Sequence, residues 1–263
     1  MLLENQNAVV YGAGGSVGGA VARAFAREGA KVFLTGRTRD RLEAVAEEIG
    51  AAGGEAEVAE VDALDRNVIE AHAASVAEAS GIDVSFNAIW IRGDLQGTPL
   101  LEMSVDDYTT PVSVATTTHF LTATAAARHM VERGSGVILT LSTSAARLPG
   151  RDQRLHATGG FGVACGAVET FTRVLAAEVG PRGVRVVCLR PDALPETWAP
   201  EHAPDETGSF QEGSVGRFMA DGTVLGRLPK LEEVAETAAF VASDRAGAIT
   251  RTVVNLSCGS VLD

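Results

Sequence analysis

The first residues that could do chemistry are glycines. Tyr11-Gly12-Ala13-Gly14-Gly15-Ser16-Val17-Gly18-Gly19 follows a short apolar run and opens a helical pattern. Glycines in such a turn let backbone N–H groups come close to a pyrophosphate, which also meets the positive end of the following helix. Gly12, Gly14, Gly15, Ser16, Val17 and Gly18 are therefore candidate phosphate contacts. A glycine-rich turn also serves plain helix–strand packing, and its place after the first strand favours the binding role. The second strand ends at Thr35-Gly36-Arg37-Thr38. An acidic residue there would accept a hydrogen bond from a ribose 2′-hydroxyl, whereas the guanidinium of Arg37 suits a 2′-phosphate. NADP(H) is thus expected over NAD(H). Arg39 and Arg41 read as exposed helix residues.

Candidates for the reacting end are sparser. The Ser142 and Ser144 hydroxyls could hold a substrate oxygen or could cap a turn. His156, in the stretch Leu148–Gly160, titrates in the range useful for a general acid, although a solvent-facing loop histidine has the same sequence signature. Cys165 has no cationic neighbour in sequence and reads as a small buried hydrophobe. Arg147, Arg151 and Arg154 fit an anionic substrate or a solvated loop, and His119 and His129 fall inside a long helical pattern.

The elements that must position these residues alternate along the chain. Strand patterns cover Ala8–Tyr11, Lys31–Thr35, Glu57–Val61, Val84–Asn87, Val137–Leu141, Val184–Leu189 and Thr252–Leu256. Most are apolar without clean alternation, as in a parallel sheet covered on both faces. Helical patterns cover Val17–Glu28, Arg39–Ile49, Arg66–Ser80, Val105–Arg133, Phe161–Val179 and Leu231–Ala242. The expected fold is α/β, a Rossmann-type doubly wound parallel sheet of about seven strands with helices on both faces, built from residues 1–263 as one domain. Residues 195–226 lack periodicity, carry prolines, glycines and charges, and read as a substrate lid beyond the carboxyl edge of the sheet.

Composition narrows the partners. A formal charge of −12 leaves no basic footprint for nucleic acid and opposes an anionic membrane surface. The cysteines Cys165, Cys188 and Cys258 form no paired motif, which fits a reducing cytoplasm better than a disulfide or zinc framework. The N-terminal residues lack the basic and apolar regions of a signal peptide, and no apolar run reaches the ~20 residues of a membrane helix. The expected protein is soluble and cytoplasmic.

Taken in order, these motifs resemble the short-chain dehydrogenase/reductase family from end to end. Gly12–Gly18 resembles its glycine motif, Asp62 its adenine-contacting aspartate, and Phe86-Asn87-Ala88-Ile89 its Asn-Asn-Ala-Gly stretch. Ser142-Thr143-Ser144 resembles the serine-bearing end of its fifth strand. Phe171–Glu178 resembles its interface helix, and Arg190-Pro191 the start of its Pro-Gly turn. The resemblance implies Asp62, Asn87 and Pro191 at the cofactor site, Ser144 at the substrate, and a homodimer or homotetramer joined through Val105–Arg133 and Phe161–Val179.

The family's reaction relies on a tyrosine that exchanges a proton with the substrate oxygen and a lysine that lowers its pKa. Counting back from Glu178, these positions fall on Phe161 and Cys165. Counting forward from Thr143 they fall on His156 and Gly160. The first register is preferred, because Gly159-Gly160 suits a helix interior poorly. Neither restores the pair, and the family's asparagine position holds Ala115. Ser16, Ile89 and Asp192 stand where the family has glycines, and the branched Ile89 is expected to crowd the cofactor. The reading is an NADP(H)-dependent oxidoreductase of a small carbonyl or alcohol, with Ser144, His156 or a substrate group supplying the proton. The alternatives are a non-redox enzyme (elimination or cyclisation) and an inert nucleotide-binding protein.

Overall fold

A computed structural model describes residues 1–148, 157–198, 209–212 and 214–262. Among these, seven parallel strands form one sheet. They are β1 (Asn7–Tyr11), β2 (Lys31–Gly36), β3 (Glu55–Glu60), β4 (Val84–Asn87), β5 (Gly136–Leu141), β6 (Val184–Pro191) and β7 (Thr252–Leu256). The spatial order β3-β2-β1-β4-β5-β6-β7 puts the reversal between β1 and β4, and sheets of this topology have their ligand crevice beyond the carboxyl ends of the strands at that point. The α-helices among the described residues are α1 (Ser16–Arg27), α2 (Arg39–Ala51), α3 (Arg66–Ala79), α4 (Val105–Arg133), α5 (Gly159–Val179), α6 (Val215–Asp221) and α7 (Leu231–Ala242).

Strand residues divide by parity between two apolar layers, because successive side chains leave opposite faces of a strand. Ala8, Val10, Val32, Leu34, Val84 and Phe86 pack with Val21 and Phe25 of α1 and Ala235, Ala238 and Ala239 of α7. Val9, Tyr11, Phe33, Ile138 and Val186 pack with Ile69 of α3, Ala126 and Met130 of α4, and Leu175 of α5. Each large side chain so enclosed contributes roughly 1.5–3 kcal/mol relative to exposure. The edge strand β3 reads Glu-Ala-Glu-Val-Ala-Glu, and Glu57 pairs with Lys31 of β2 at 2.6 Å.

Element boundaries lie within two residues of expectation, with two informative differences. Gly159 and Gly160 belong to α5, but they form its first turn, where Gly159 (φ +52°) and the contact of Gly160 with the Tyr108 backbone leave no place for a side chain. Within residues 195–226, the described part is not featureless. Pro195–Thr197 makes a 3₁₀ turn, and α6 starts where Ser214 Oγ accepts the Arg217 N–H. Two helical turns are too short to print a periodicity.

His119 lies in the middle of α4 with 1% of its surface exposed, its Nδ1 2.9 Å from the Ala115 carbonyl oxygen. Burial holds its pKa down at about 4. The folded protein thus keeps this ring neutral while the unfolded chain protonates it near pH 6.5. Stability should fall as pH drops from 6.5 to 4, by about 3 kcal/mol once fully developed. Chemical denaturation at pH 7.5 and 4.5 tests this: His119→Gln should lose a large part of the pH dependence, and an unchanged slope would refute the assignment.

Candidate functional site

The glycine turn after β1 is built without space. Gly12 has φ +80°, and a β-carbon on it would stand 2.7 Å from the Ala88 carbonyl oxygen at the end of β4. One on Gly18 would meet the Gly12 oxygen at 2.3 Å, and one on Gly14 would meet the Arg41 β-carbon at 3.0 Å. Gly15 is held by nothing closer than 3.4 Å. Gly15 and Ser16 are exposed, Val17 is half-buried, and the first turn of α1 carries no side-chain cap among the described residues. Its N–H groups therefore face the crevice open, as an anion site requires.

Arg37 is exposed just past β2 and makes no ion pair among the described residues, whereas Arg39 is taken by Glu43 at 2.7 Å. Asp62 is exposed beyond β3, its Oδ1 accepting the Leu64 N–H at 3.0 Å. These groups line the β1–β3 side of the crevice. Asn87 is different: it is buried, its Nδ2 donates to Thr122 Oγ1, and its Oδ1 accepts the Ile89 N–H, both at 2.9 Å. It ties β4 to α4. The Ile89 side chain is half-buried and packs against the layer under α3 and α4. Pro191 is the last, buried residue of β6, opposite Leu256.

At the other end of the crevice, Ala115, Cys165, Cys188, Ile91, Ala164 and Val168 form a third apolar cluster, with Phe161 packed on it. Cys165 is fully enclosed, and burial pushes its thiol up to about 12. Its Sγ lies 3.5 Å from Thr143 Oγ1, which sets this part of α5 against the end of β5. Thr143, which the sequence reading passed over, is thus the hydroxyl beside the cluster. Ser144 is buried and donates to Asp192 Oδ1 at 2.6 Å. His156, with Arg151 and Arg154, lies outside the described residues.

Sequence reading also missed the ion pair beneath the site. Glu169 of α5 and Arg190 of β6 are buried, with Arg190 Nη1 3.3 Å from Oε1. Ser142 donates to the same oxygen at 3.2 Å, and Arg147 and Arg173 stand 3.6 Å from Oε2. An arginine at the end of an apolar strand pattern was the available signal, since such a residue enters a core only with a counter-charge.

With this geometry in hand, residues 12–260 match the family described as Enoyl-(Acyl carrier protein) reductase. The chain belongs to the short-chain dehydrogenase/reductase family. It is 34% identical over 253 residues to the short-chain reductase protein NovJ of Streptomyces niveus, covering 96% of this chain and 92% of that protein. A short-chain type dehydrogenase/reductase from Mycobacterium marinum superposes with a TM-score of 0.84 at 25% identity, over 99% of this chain and 97% of the other. A protein from Beutenbergia cavernae described as an NAD(P) dependent gluconate 5-dehydrogenase, with NADP bound at low occupancy, gives 0.83 at 30% identity, over 98% and 97%.

Two outcomes check this account. Cys165 and Cys188 are buried and Cys258 is half-buried, so the native protein should yield at most one thiol equivalent to iodoacetamide at pH 8, on Cys258. Mass mapping of fast modification at Cys165 would contradict an enclosed cluster. Glu169→Ala should cost about 3–5 kcal/mol by removing the carboxylate paired with a buried guanidinium, measured by urea denaturation. A loss below 1 kcal/mol would show that the pair is dispensable.

Proposed function

We propose that this protein binds NADP(H) across the β1–β4 crevice and acts as an oxidoreductase on a small carbonyl or alcohol with an atypical proton path. The observation that carries the cofactor reading is the pairing of an open, uncapped α1 N-terminus with an Arg37 that has no carboxylate partner among the described residues. Both fit a 2′-phosphorylated dinucleotide: N–H groups of the first turn for the pyrophosphate, a planar cation for the added phosphate. The NADP carried by the Beutenbergia cavernae relative supports the same reading. When bound, the nicotinamide supplies or accepts hydride.

The chain's own residues contribute orientation more than acid–base chemistry. The positions that the family resemblance gives to asparagine, tyrosine and lysine hold Ala115, Phe161 and Cys165, all in one apolar cluster. A thiol held near 12 neither donates a proton readily nor lowers a neighbour's pKa as an ammonium does. What remains polar is Thr143, half-buried beside Cys165, and Ser144, fixed by Asp192. The Thr143 hydroxyl holds the substrate oxygen, while Ser144, its proton given to Asp192, can only accept from an alcohol; the proton for a carbonyl comes from the substrate or from water. Losing a positioned acid costs typically 10²–10⁴-fold in rate, so turnover is slow. The same cluster favours a second reading, cofactor binding without turnover. We further propose self-association through α4 and α5, which expose Phe120, Val163 and Val174.

Fluorescence titration should show NADPH bound more tightly than NADH, and Arg37→Ala should reduce that preference by about 10–100-fold, the worth of a charge-assisted contact to phosphate. Equal affinity for both cofactors in the unaltered protein would refute the phosphate role. Slow 340 nm turnover that Thr143→Ala abolishes supports the oxidoreductase reading; binding with no turnover over a broad carbonyl panel supports the second.

A further inference from the structure

We infer that the substrate is aromatic, an aryl carbinol or aryl carbonyl whose ring lies on the exposed indole of Trp90 beside Phe161; this rests on the oxidoreductase reading above. Trp90 is 64% exposed and is one of two tryptophans in the chain. Single apolar residues on a surface are ordinary, but this one is held in place. Arg92 foremost, and the indole N–H of Trp90 with it, hold the Asp94 carboxyl below its usual pKa. The guanidinium grips that carboxylate through Nε at 2.9 Å and Nη2 at 2.8 Å. Arg92 has φ +62°, a conformation that a non-glycine residue keeps only where its surroundings impose it. The loop is also tied to the start of α5, where the Gly97 N–H donates to the Ala157 carbonyl oxygen at 2.7 Å.

This loop brings the indole to the reacting end. The place that a β-carbon on Gly93 would take lies 3.2 Å from Trp90 Cη2 and 3.5 Å from Phe161 Cε2, so the two rings converge over bare backbone. Phe161 stands one turn before Cys165 on α5, and Cys165 Sγ lies 3.5 Å from Thr143 Oγ1, the hydroxyl assigned to the substrate oxygen. The step from that hydroxyl to Phe161 is thus one helical turn, about 5.4 Å, which a ring carried directly on the carbinol carbon covers. The path is bordered by apolar groups: Ile91, Ala115 and Cys165 are buried in the cluster on which Phe161 packs. A polyhydroxylated substrate would desolvate its hydroxyls there without enough partners among the described residues. An aryl ring needs no such partners and gains an aromatic contact with the indole.

The experiment titrates the protein, in the presence of NADP⁺, with 2-naphthalenemethanol and with its decahydro analogue. The two share a carbon skeleton and a hydroxyl and differ in whether the rings are flat and carry π electrons. Isothermal titration of the unaltered protein should give about fivefold tighter binding of the naphthyl alcohol, the order of one aromatic pair. In Trp90→Leu, with the thermal midpoint unchanged as evidence of a folded chain, that preference should fall below about twofold, whereas Trp90→Phe should keep about threefold. In a Trp198→Phe background Trp90 is the single tryptophan, and its indole N–H signal in the NMR spectrum should move with the naphthyl alcohol and stay with the decahydro alcohol. A preference below about twofold in the unaltered protein, one that Trp90→Leu preserves, or an indole signal that neither alcohol moves overturns the role of Trp90. NADPH binding and 340 nm turnover alongside such a failure leave the oxidoreductase reading standing. An aromatic preference without NADPH binding overturns the oxidoreductase reading and leaves Trp90 in a ring-binding site that is not a substrate site.

Discussion

A β-carbon on Gly18 would stand 2.3 Å from the Gly12 carbonyl oxygen, so α1 can reach the end of β1 only as bare backbone. Gly12 in turn sits in a left-handed conformation against the carbonyl of Ala88, the residue after β4. These two close approaches fix three things together: the angle at which α1 leaves the sheet, the direction of its open N–H groups, and the width of the gap at the strand-order reversal. Glycine is needed here for packing whether or not a ligand is present. The open first turn of α1 has a separate cause: its N-cap residue, Gly15, carries no side chain that could cap it, although nothing stands closer than 3.4 Å to where one would be.

The two ends of the crevice are built on opposite physical terms. The β1–β3 end is polar and open, with exposed Gly15, Ser16, Arg37 and Asp62. The other end buries its chemistry. Ala115, Cys165 and Phe161 join an apolar cluster, while the polar groups next to it engage one another: Ser144 with Asp192 Oδ1, and Glu169 with Arg190 and Ser142. A buried ammonium in the place of Cys165 would need its own counter-charge, and an apolar filling spares that cost. One wall is thus apolar and closely packed, and the other keeps its hydrogen-bonding groups exposed.

Much of this was legible in sequence. Continuous runs such as Val-Ile-Leu in β5 and the apolar stripe of α1 announce buried strands and an amphipathic helix, because those patterns follow from burial itself. The places of the glycine turn and of Arg37 were legible because each directly follows a strand. The pairings were not. That Ser144 meets Asp192, 48 residues on, and that Glu169 meets Arg190 are consequences of β5, α5 and β6 lying side by side, which no local spacing encodes. Thr143 was passed over for a related reason: a serine in a family motif draws attention, yet the side chain beside Cys165 is set by the twist of the strand end. Helix α6 escaped because its signals, a Ser214 cap and an Arg217–Asp221 pair at 2.9 Å, are individually common.

The edge strand β3 bears on how copies of this chain meet. Its outer rim is an unpaired ladder of N–H and C=O groups, a template for another strand. Glu55, Glu57 and Glu60 are all exposed along it. A second copy docking there edge to edge would align carboxylates against carboxylates, at a separation where like charges repel. Carboxylates along an edge are one way native sheets refuse uncontrolled growth into stacked aggregates. With a formal charge of −12 over the whole chain, the same repulsion acts at longer range, so this sheet ends where β3 ends.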